Sequence, residues 1–197
     1  MFPETIETDR LRLEVRSPEH VDLDECYRIC SSDPGIDEVT EFVTWDPHET
    51  KKETLEFLER GRERFEDAEA ATYVIYPREG EDGAGEIAGF GGFGVDWEKR
   101  TATLGTWLRK RFWGRGYSGE RAAALAEVAF ADLDLDVVAV GHHPDNEKSR
   151  RAIERYVDRL GGRREGRLRN ELVYADGTVH DEVRYTISQS EWRKATT

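Results

Sequence analysis

Three glycines, Gly114, Gly116 and Gly119, alternate with arginine and aromatic side chains in RKRFWGRGYSGE, residues 109–120, between an apolar run and an alanine-rich one. Glycine lets a backbone approach a ligand closely, and the first turn of a helix offers unpaired N–H groups at the positive end of its dipole. Together they predict a cradle for phosphate. Two familiar phosphate motifs are excluded. The dinucleotide fingerprint needs G-x-G-x-x-G with an acidic residue on a following strand, and a P-loop needs Gly-Lys followed by Ser or Thr. The spacing present is R-x-x-G-x-G, carried by Arg111, Gly114 and Gly116.

A second pair of groups lies downstream. Asn146 and Ser149 are three residues apart, so a helix places them on one face, and Asp145 or Asn146 is suited to cap that helix. His142 and His143 close the strand before it. Cys26 and Cys30, the only cysteines, share a helical face with a four-residue spacing and read as small buried hydrophobes. No second ligand cluster joins them and His20, so no metal site is expected.

These groups need elements to hold them. TDRLRLEVRS, residues 8–17, alternates Leu11, Leu13 and Val15 with charged residues, as a half-buried strand does. Ser17 and Pro18 predict the start of a first helix, and Leu55, Leu58, Arg62 and Phe65 mark a second. ATYVIYP, IAGFGGFGVD and TATLGTWL follow as strands, the second with glycines that suggest a bulge or close packing. A helix from Ser118 to Leu133, a buried strand over 137–143, a helix ending at Gly161 and Gly162, and two strands joined by the Asp-Gly turn of ADGT complete an α+β pattern.

Composition bounds the function. The 197 residues can bury one sizeable core, so a single domain over 1–197 is expected. Neither a leader nor an apolar run of about 18 residues occurs, so the expected setting is cytoplasmic, without a membrane partner. Acids outnumber bases by 42 to 29, giving a net charge of −13 that repels nucleic acid. RLGGRREGRLRN, residues 159–170, is basic but lacks interleaved aromatics, and reads as a turn and a strand with solvated arginines. Excess carboxylate with scarce lysine suits concentrated salt, and predicts a halophilic origin. The melting temperature is expected to rise from dilute buffer to molar KCl as self-repulsion is screened; a flat or falling one would remove the salt-adapted reading.

LGTWLRKRFWGRGYSGE resembles the GNAT superfamily of acetyl-CoA-dependent N-acetyltransferases, and within it the RimJ/RimL-like ribosomal-protein N-terminal acetyltransferases, which carry Gly-x-Trp-Leu before Trp-Gly-x-Gly-Tyr. HPDNEKSRRAIER is similar to that subgroup's Asn-x-x-Ser helix, TDRLRLE to its opening strand, and ADGTVHDEVRYTISQSEW to its closing hairpin and Ser-x-x-Glu-Trp end. The resemblance implies a mixed, mostly antiparallel seven-stranded sheet flanked by helices and splayed between strands four and five.

It also implies a site. Thr106, Trp107 and Leu108 would line the pantetheine arm of acetyl-CoA, and Gly114, Arg115, Gly116, Tyr117, Ser118 and Gly119 its pyrophosphate. Arg111, with Lys148 or Arg151, would meet further phosphates, and Asn146 and Ser149 the thiol end. The reaction implied is direct attack of a neutral amine on the thioester, with Ser149 as donor to the sulfur. Two departures stand out. Thr103 occupies the place where relatives often carry a glutamate base, leaving Glu41, Asp46, Asp96, Glu98 and the two histidines as other candidates. Tyr156 to Arg159 looks like an extra helical turn that brings Tyr156 forward as an alternative to Ser149. The acceptor expected is a protein or peptide N-terminus, with a small amine such as an aminoglycoside, polyamine or amino acid as the alternative within the same chemistry. A non-catalytic acyl-CoA sensor is the alternative from another class; the sequence does not set the oligomeric state and is compatible with a homodimer.

Overall fold

Leu11, Leu13 and Val15 are buried and Arg12 is exposed, so the alternation is that of a strand with one face in the core. In the structure, a computed structural model describing residues 1–196, this strand is β2 (Leu11–Val15). A short edge strand, β1 (Thr5–Glu7), pairs with it antiparallel. Thr8 closes the hairpin: its N–H donates to the Leu11 carbonyl at 2.9 Å and its Oγ1 accepts from the Leu11 N–H at 2.9 Å. The sheet therefore has eight strands and not seven. A three-residue edge strand is too short to show an alternation, which is why it was not predicted.

The remaining strands are β3 (Ala70–Pro77), β4 (Gly89–Asp96), β5 (Thr101–Leu108), β6 (Val137–His142), β7 (Arg163–Val173) and β8 (Val179–Ser188), in the order β1-β2-β3-β4-β5-β6-β8-β7. Every neighbouring pair is antiparallel except β5 with β6. That parallel pair is registered from Thr101–Val137 to Leu104–Val140, while β5 continues to Leu108 and β6 turns its last residues, Gly141 and His142, to β8 alone. Strands four and five of the expected sheet, β5 and β6 here, are thus joined over half of β5 and unpaired only beyond Leu104.

Helices cover both faces. α4 (Tyr117–Glu127), which runs on into one wider π-type turn over Val128–Asp132, packs with α5 (Glu147–Arg159) over Leu13, Ile75, Phe93 and Leu104. α1 (Leu23–Ser32) and α3 (Lys51–Glu66) cover Val74 and Phe90 on the other face, with Cys26 and Cys30 in that core. Two short helices, α2 (Ile36–Thr40) and α6 (Gln189–Thr196), complete the chain. α1 begins later than predicted. Its cap is Asp22, which accepts from the Glu25 N–H at 2.8 Å, whereas Ser17 is buried and bonded to His20 Nδ1 at 3.0 Å. A carboxylate placed for the first-turn N–H groups wins over a hydroxyl engaged elsewhere.

One buried ion pair ties the two halves. Arg109, just past β5, meets Asp33 at the end of α1 through Nε–Oδ2 at 2.9 Å and Nη2–Oδ1 at 2.8 Å, and Nη1 donates to the Ile87 carbonyl. Among the described residues, no helix is long and apolar enough to cross a membrane.

Candidate active site

Glycine at 114 and 116 turns the chain from β5 into α4. Both sit at positive φ, +76° and +82°, where an L side chain is strained. Gly116 caps α4 without any side-chain bond. From Gly114 to Ser118, five successive backbone N–H groups have no acceptor among the described residues. The first N–H groups of a helix have no intrahelical acceptor, and glycines that bring the backbone close let such a run receive an anion.

A cleft of about 1490 Å³ lies along this loop, lined by Thr106, Trp107, Leu108 and Gly119 as well as by Asn146 and Ser149. Asn146 caps α5, its Oδ1 accepting from the Ser149 N–H at 3.0 Å. The Ser149 side chain is half-buried and makes no hydrogen bond to the described residues. Tyr156 lines the same cleft, 2% exposed, and burial pushes its phenol up to about 12. Ser149 and Tyr156 are therefore on one wall, the second deeper than the first.

Two of the arginines predicted for the phosphates, Arg111 and Arg115, are engaged elsewhere. Arg111 pairs with Glu86 at 2.7 Å, and Arg115 reaches Asp82 at 2.7 Å; the two lie over the Phe112 ring at 4.8 and 5.0 Å. Neither side chain lines the cleft, because the acidic β3–β4 turn holds both. Tyr117 is buried where it lines the cleft, its hydroxyl donating to Glu81 at 2.7 Å. Lys148 lies 4.2 Å over the Trp113 ring at the cleft, which Arg151 also lines.

Two residues were missed. Arg10, in the β1–β2 turn, donates through Nη1 to the Arg115 carbonyl at 3.0 Å and pairs with Glu120 at 2.7 Å, bracing the glycine loop. Burial pushes the Glu120 carboxyl up, but bonds from Thr8 and Arg10 outweigh it and hold the acid below its usual range. Arg121 is fully buried in α4; its Nη1 donates to the Gly105 carbonyl at 3.0 Å and its Nε has no partner among the described residues. Space for it comes from Gly91 on β4, where a Cβ would lie 2.7 Å from Arg121 Cδ. No local signal marks an arginine in an alanine-rich helix as buried, because the glycine that admits it is far away in sequence.

A second cavity of about 340 Å³ lies on the opposite face of the sheet, and Leu104, Gly105, Thr106 and Trp107 line both. This shared stretch begins where β5 and β6 stop pairing. Thr103 lines the second cavity. Of the candidate bases, Glu41 lines the cleft, whereas Asp46, Asp96, Glu98, His142 and His143 line neither.

The profile of the acetyltransferase (GNAT) domain matches residues 12–156. The chain belongs to the GNAT acetyltransferase family. It is an acetyl-transferring domain of the kind that uses acetyl-CoA. This GNAT domain is 37% identical over 98 residues to YdaF of Bacillus subtilis, provisionally named a ribosomal N-acetyltransferase; the match spans 50% of this chain and 51% of YdaF, about half of each. A crystal structure from T. thermophilus, provisionally described as an acetyltransferase, is 29% identical with TM-score 0.77, covering 99% of this chain and 94% of that one. The microcin C7 self-immunity acetyltransferase MccE, solved with acetyl-CoA and AMP, is similar in fold at TM-score 0.77 and 19% identity, over 95% of this chain and 97% of its own.

Proposed function

We propose that this GNAT domain, a single unit over 1–197 of the RimJ/RimL-like type, acetylates a primary amine in a ternary complex, with a protein or peptide N-terminus as the leading acceptor. The observation that carries the reading is the shared wall: two cavities reach Leu104–Trp107 from opposite faces of the sheet, where β5 has lost its neighbour. One side suits the acetyl donor and the other the amine.

Acetyl-CoA supplies an acetyl group activated as a thioester. Its pyrophosphate is assigned to the free N–H groups of Gly114–Ser118 and its pantetheine to the unpaired edge of Thr106–Leu108, which can bond it as a neighbouring strand would. Arg115 contributes its backbone N–H here, and the side chains of Arg111 and Arg115 hold the loop. The amine nitrogen attacks the carbonyl carbon, the C–N bond forms, the C–S bond breaks, and the departing thiolate takes a proton. A backbone N–H at 106–108 is suited to the developing oxyanion. Glu41, reached through water, is our acceptor for the proton that the ammonium must lose, since position 103 offers only a hydroxyl.

Ser149 is the proposed donor to the sulfur. Ser149→Ala removes one hydroxyl that no other described residue uses, so kcat is expected to fall about tenfold to a hundredfold with little change in acetyl-CoA affinity, as for an interaction made mainly in the transition state. Tyr156→Phe is the matched comparison, because burial keeps that phenol protonated and able to donate. An unchanged kcat for Ser149→Ala beside a collapsed one for Tyr156→Phe transfers the role to the tyrosine. Steady-state kinetics against a panel of peptide and small-molecule amines, with mass-spectrometric detection of the product, test the whole reading; acetyl-CoA binding without transfer to any of them would favour a sensor.

A further inference from the structure

The second cavity has a chemistry of its own. Trp45, Phe57, Phe90 and Trp107 wall it, with ring centroids 5.0 Å apart for Trp45–Trp107 and 5.2 Å for Phe90–Trp107. Arg16 and Arg64 reach into it, and in a chain of net charge −13 no carboxylate of the described residues lines it. Arg16 is the unusual member. Its side chain makes no ion pair and no hydrogen bond with the described residues, and its buried Nε is left without a partner. The guanidinium lies 3.9 Å over the Phe57 ring.

The fold gives way elsewhere to put it there. Gly61 interrupts the interior of α3, an unfavourable place for glycine, and a Cβ at that position would sit 2.3 Å from Arg16 Nε. The floor is opened by glycine as well: a Cβ at Gly105 would touch nothing within 4 Å, and one at Gly94 would have Arg64 Nη2 at 3.8 Å. Burial lowers Arg16 to about 10, which leaves it cationic at neutral pH. A mostly buried guanidinium without a protein acceptor lacks the bidentate anion that its planar fork matches.

We propose that this cavity is the acceptor subsite and that it selects amines bearing a carboxylate, received by Arg16 beside the aromatic wall. The proposal rests on the acetyl-transfer reading for the amine, but not for the anion. It narrows the acceptor to a free amino acid, through its α-carboxylate, or to a peptide with an acidic side chain close to its N-terminus. Polycations such as a polyamine or an aminoglycoside are disfavoured by Arg16, whose charge no described carboxylate offsets, whereas Arg64 is paired with Glu69 at 3.4 Å.

The test has a binding arm and a transfer arm, both on the full chain. By calorimetry, 3-phenylpropionate is expected to bind at least tenfold more tightly than 3-phenylpropanamide, and Arg16→Gln to level the two without altering acetyl-CoA affinity. Arg16→Lys should retain part of the difference. In the transfer arm, kcat/KM is compared for phenylalanine against phenylalaninamide and for an Ala-Glu peptide against its Ala-Gln counterpart. At least a tenfold preference for the acid is expected in one of the two pairs, and which pair shows it identifies the source of the carboxylate. Equal binding of acid and amide, or transfer with no preference for the acid in either pair, overturns the proposal while leaving acetyl transfer intact. Selective carboxylate binding with no transfer to any amine leaves the anion site standing and removes the catalytic reading. The wild-type comparison decides even where a variant fails to fold.

Discussion

Replacing Gly116 with valine is expected to abolish stabilisation by acetyl-CoA. Gly116 sits at φ +82°, where a left-handed conformation costs an L residue about 1–2 kcal/mol and a β-branched one more. A Cβ there would also stand 3.4 Å from Arg10 Nη2, the group that braces the loop. The loop must relax, and relaxation scatters the N–H groups of Gly114–Ser118. For the wild type, acetyl-CoA at about 100 times its Kd should add roughly 2.7 kcal/mol, or about 5–10 °C in melting temperature for a chain of this size. NAD and ATP should add nothing. For Gly116→Val the acetyl-CoA shift should vanish. Gly177→Val is the control: this glycine has the same φ of +82° in the β7–β8 turn, with nothing within 4 Å of a Cβ, so it carries equal strain away from the cleft. Loss of the shift in both variants, or in neither, would show that the glycine loop is not the phosphate cradle.

Asp33→Ala should be the most destabilising single change among those considered. The carboxylate and Arg109 are 5% and 6% exposed and joined by two bonds, so removing the acid leaves a buried guanidinium with only the Ile87 carbonyl and a longer approach to Glu86 at 3.6 Å. Breaking such a pair costs about 3–5 kcal/mol, which is roughly 6–20 °C of melting temperature here. Asp33→Asn keeps an acceptor and should lose less. Because Arg109 directly follows β5 and precedes the glycine loop, the acetyl-CoA shift should also weaken in Asp33→Ala. A melting temperature within about 1 °C of wild type would mean that the pair contributes no more than a surface bridge.

What the sequence determined by itself was local. The glycine turn between strand and helix, the Asn146 cap, the alternation of Leu11, Leu13 and Val15 and the order of most elements could be read because each depends on residues a few positions apart. The resemblance carried by Trp107, Gly114, Gly116 and Tyr117 gave the family on the same basis. Tertiary structure alone decided the rest. Which arginines are engaged depends on acids in the β3–β4 turn, so Arg111 and Arg115 are held by Glu86 and Asp82 while Arg10, unremarkable in sequence, braces the loop. Arg121 and Arg16 are admitted by Gly91 and Gly61, which lie 30 and 45 positions away along the chain. The meeting of two cavities at Leu104–Trp107 depends on where β5 parts from β6, a register that only the packed sheet sets. Charges and voids act through space, and a long side chain finds its partner wherever folding leaves room, so spacing along the chain does not encode these contacts.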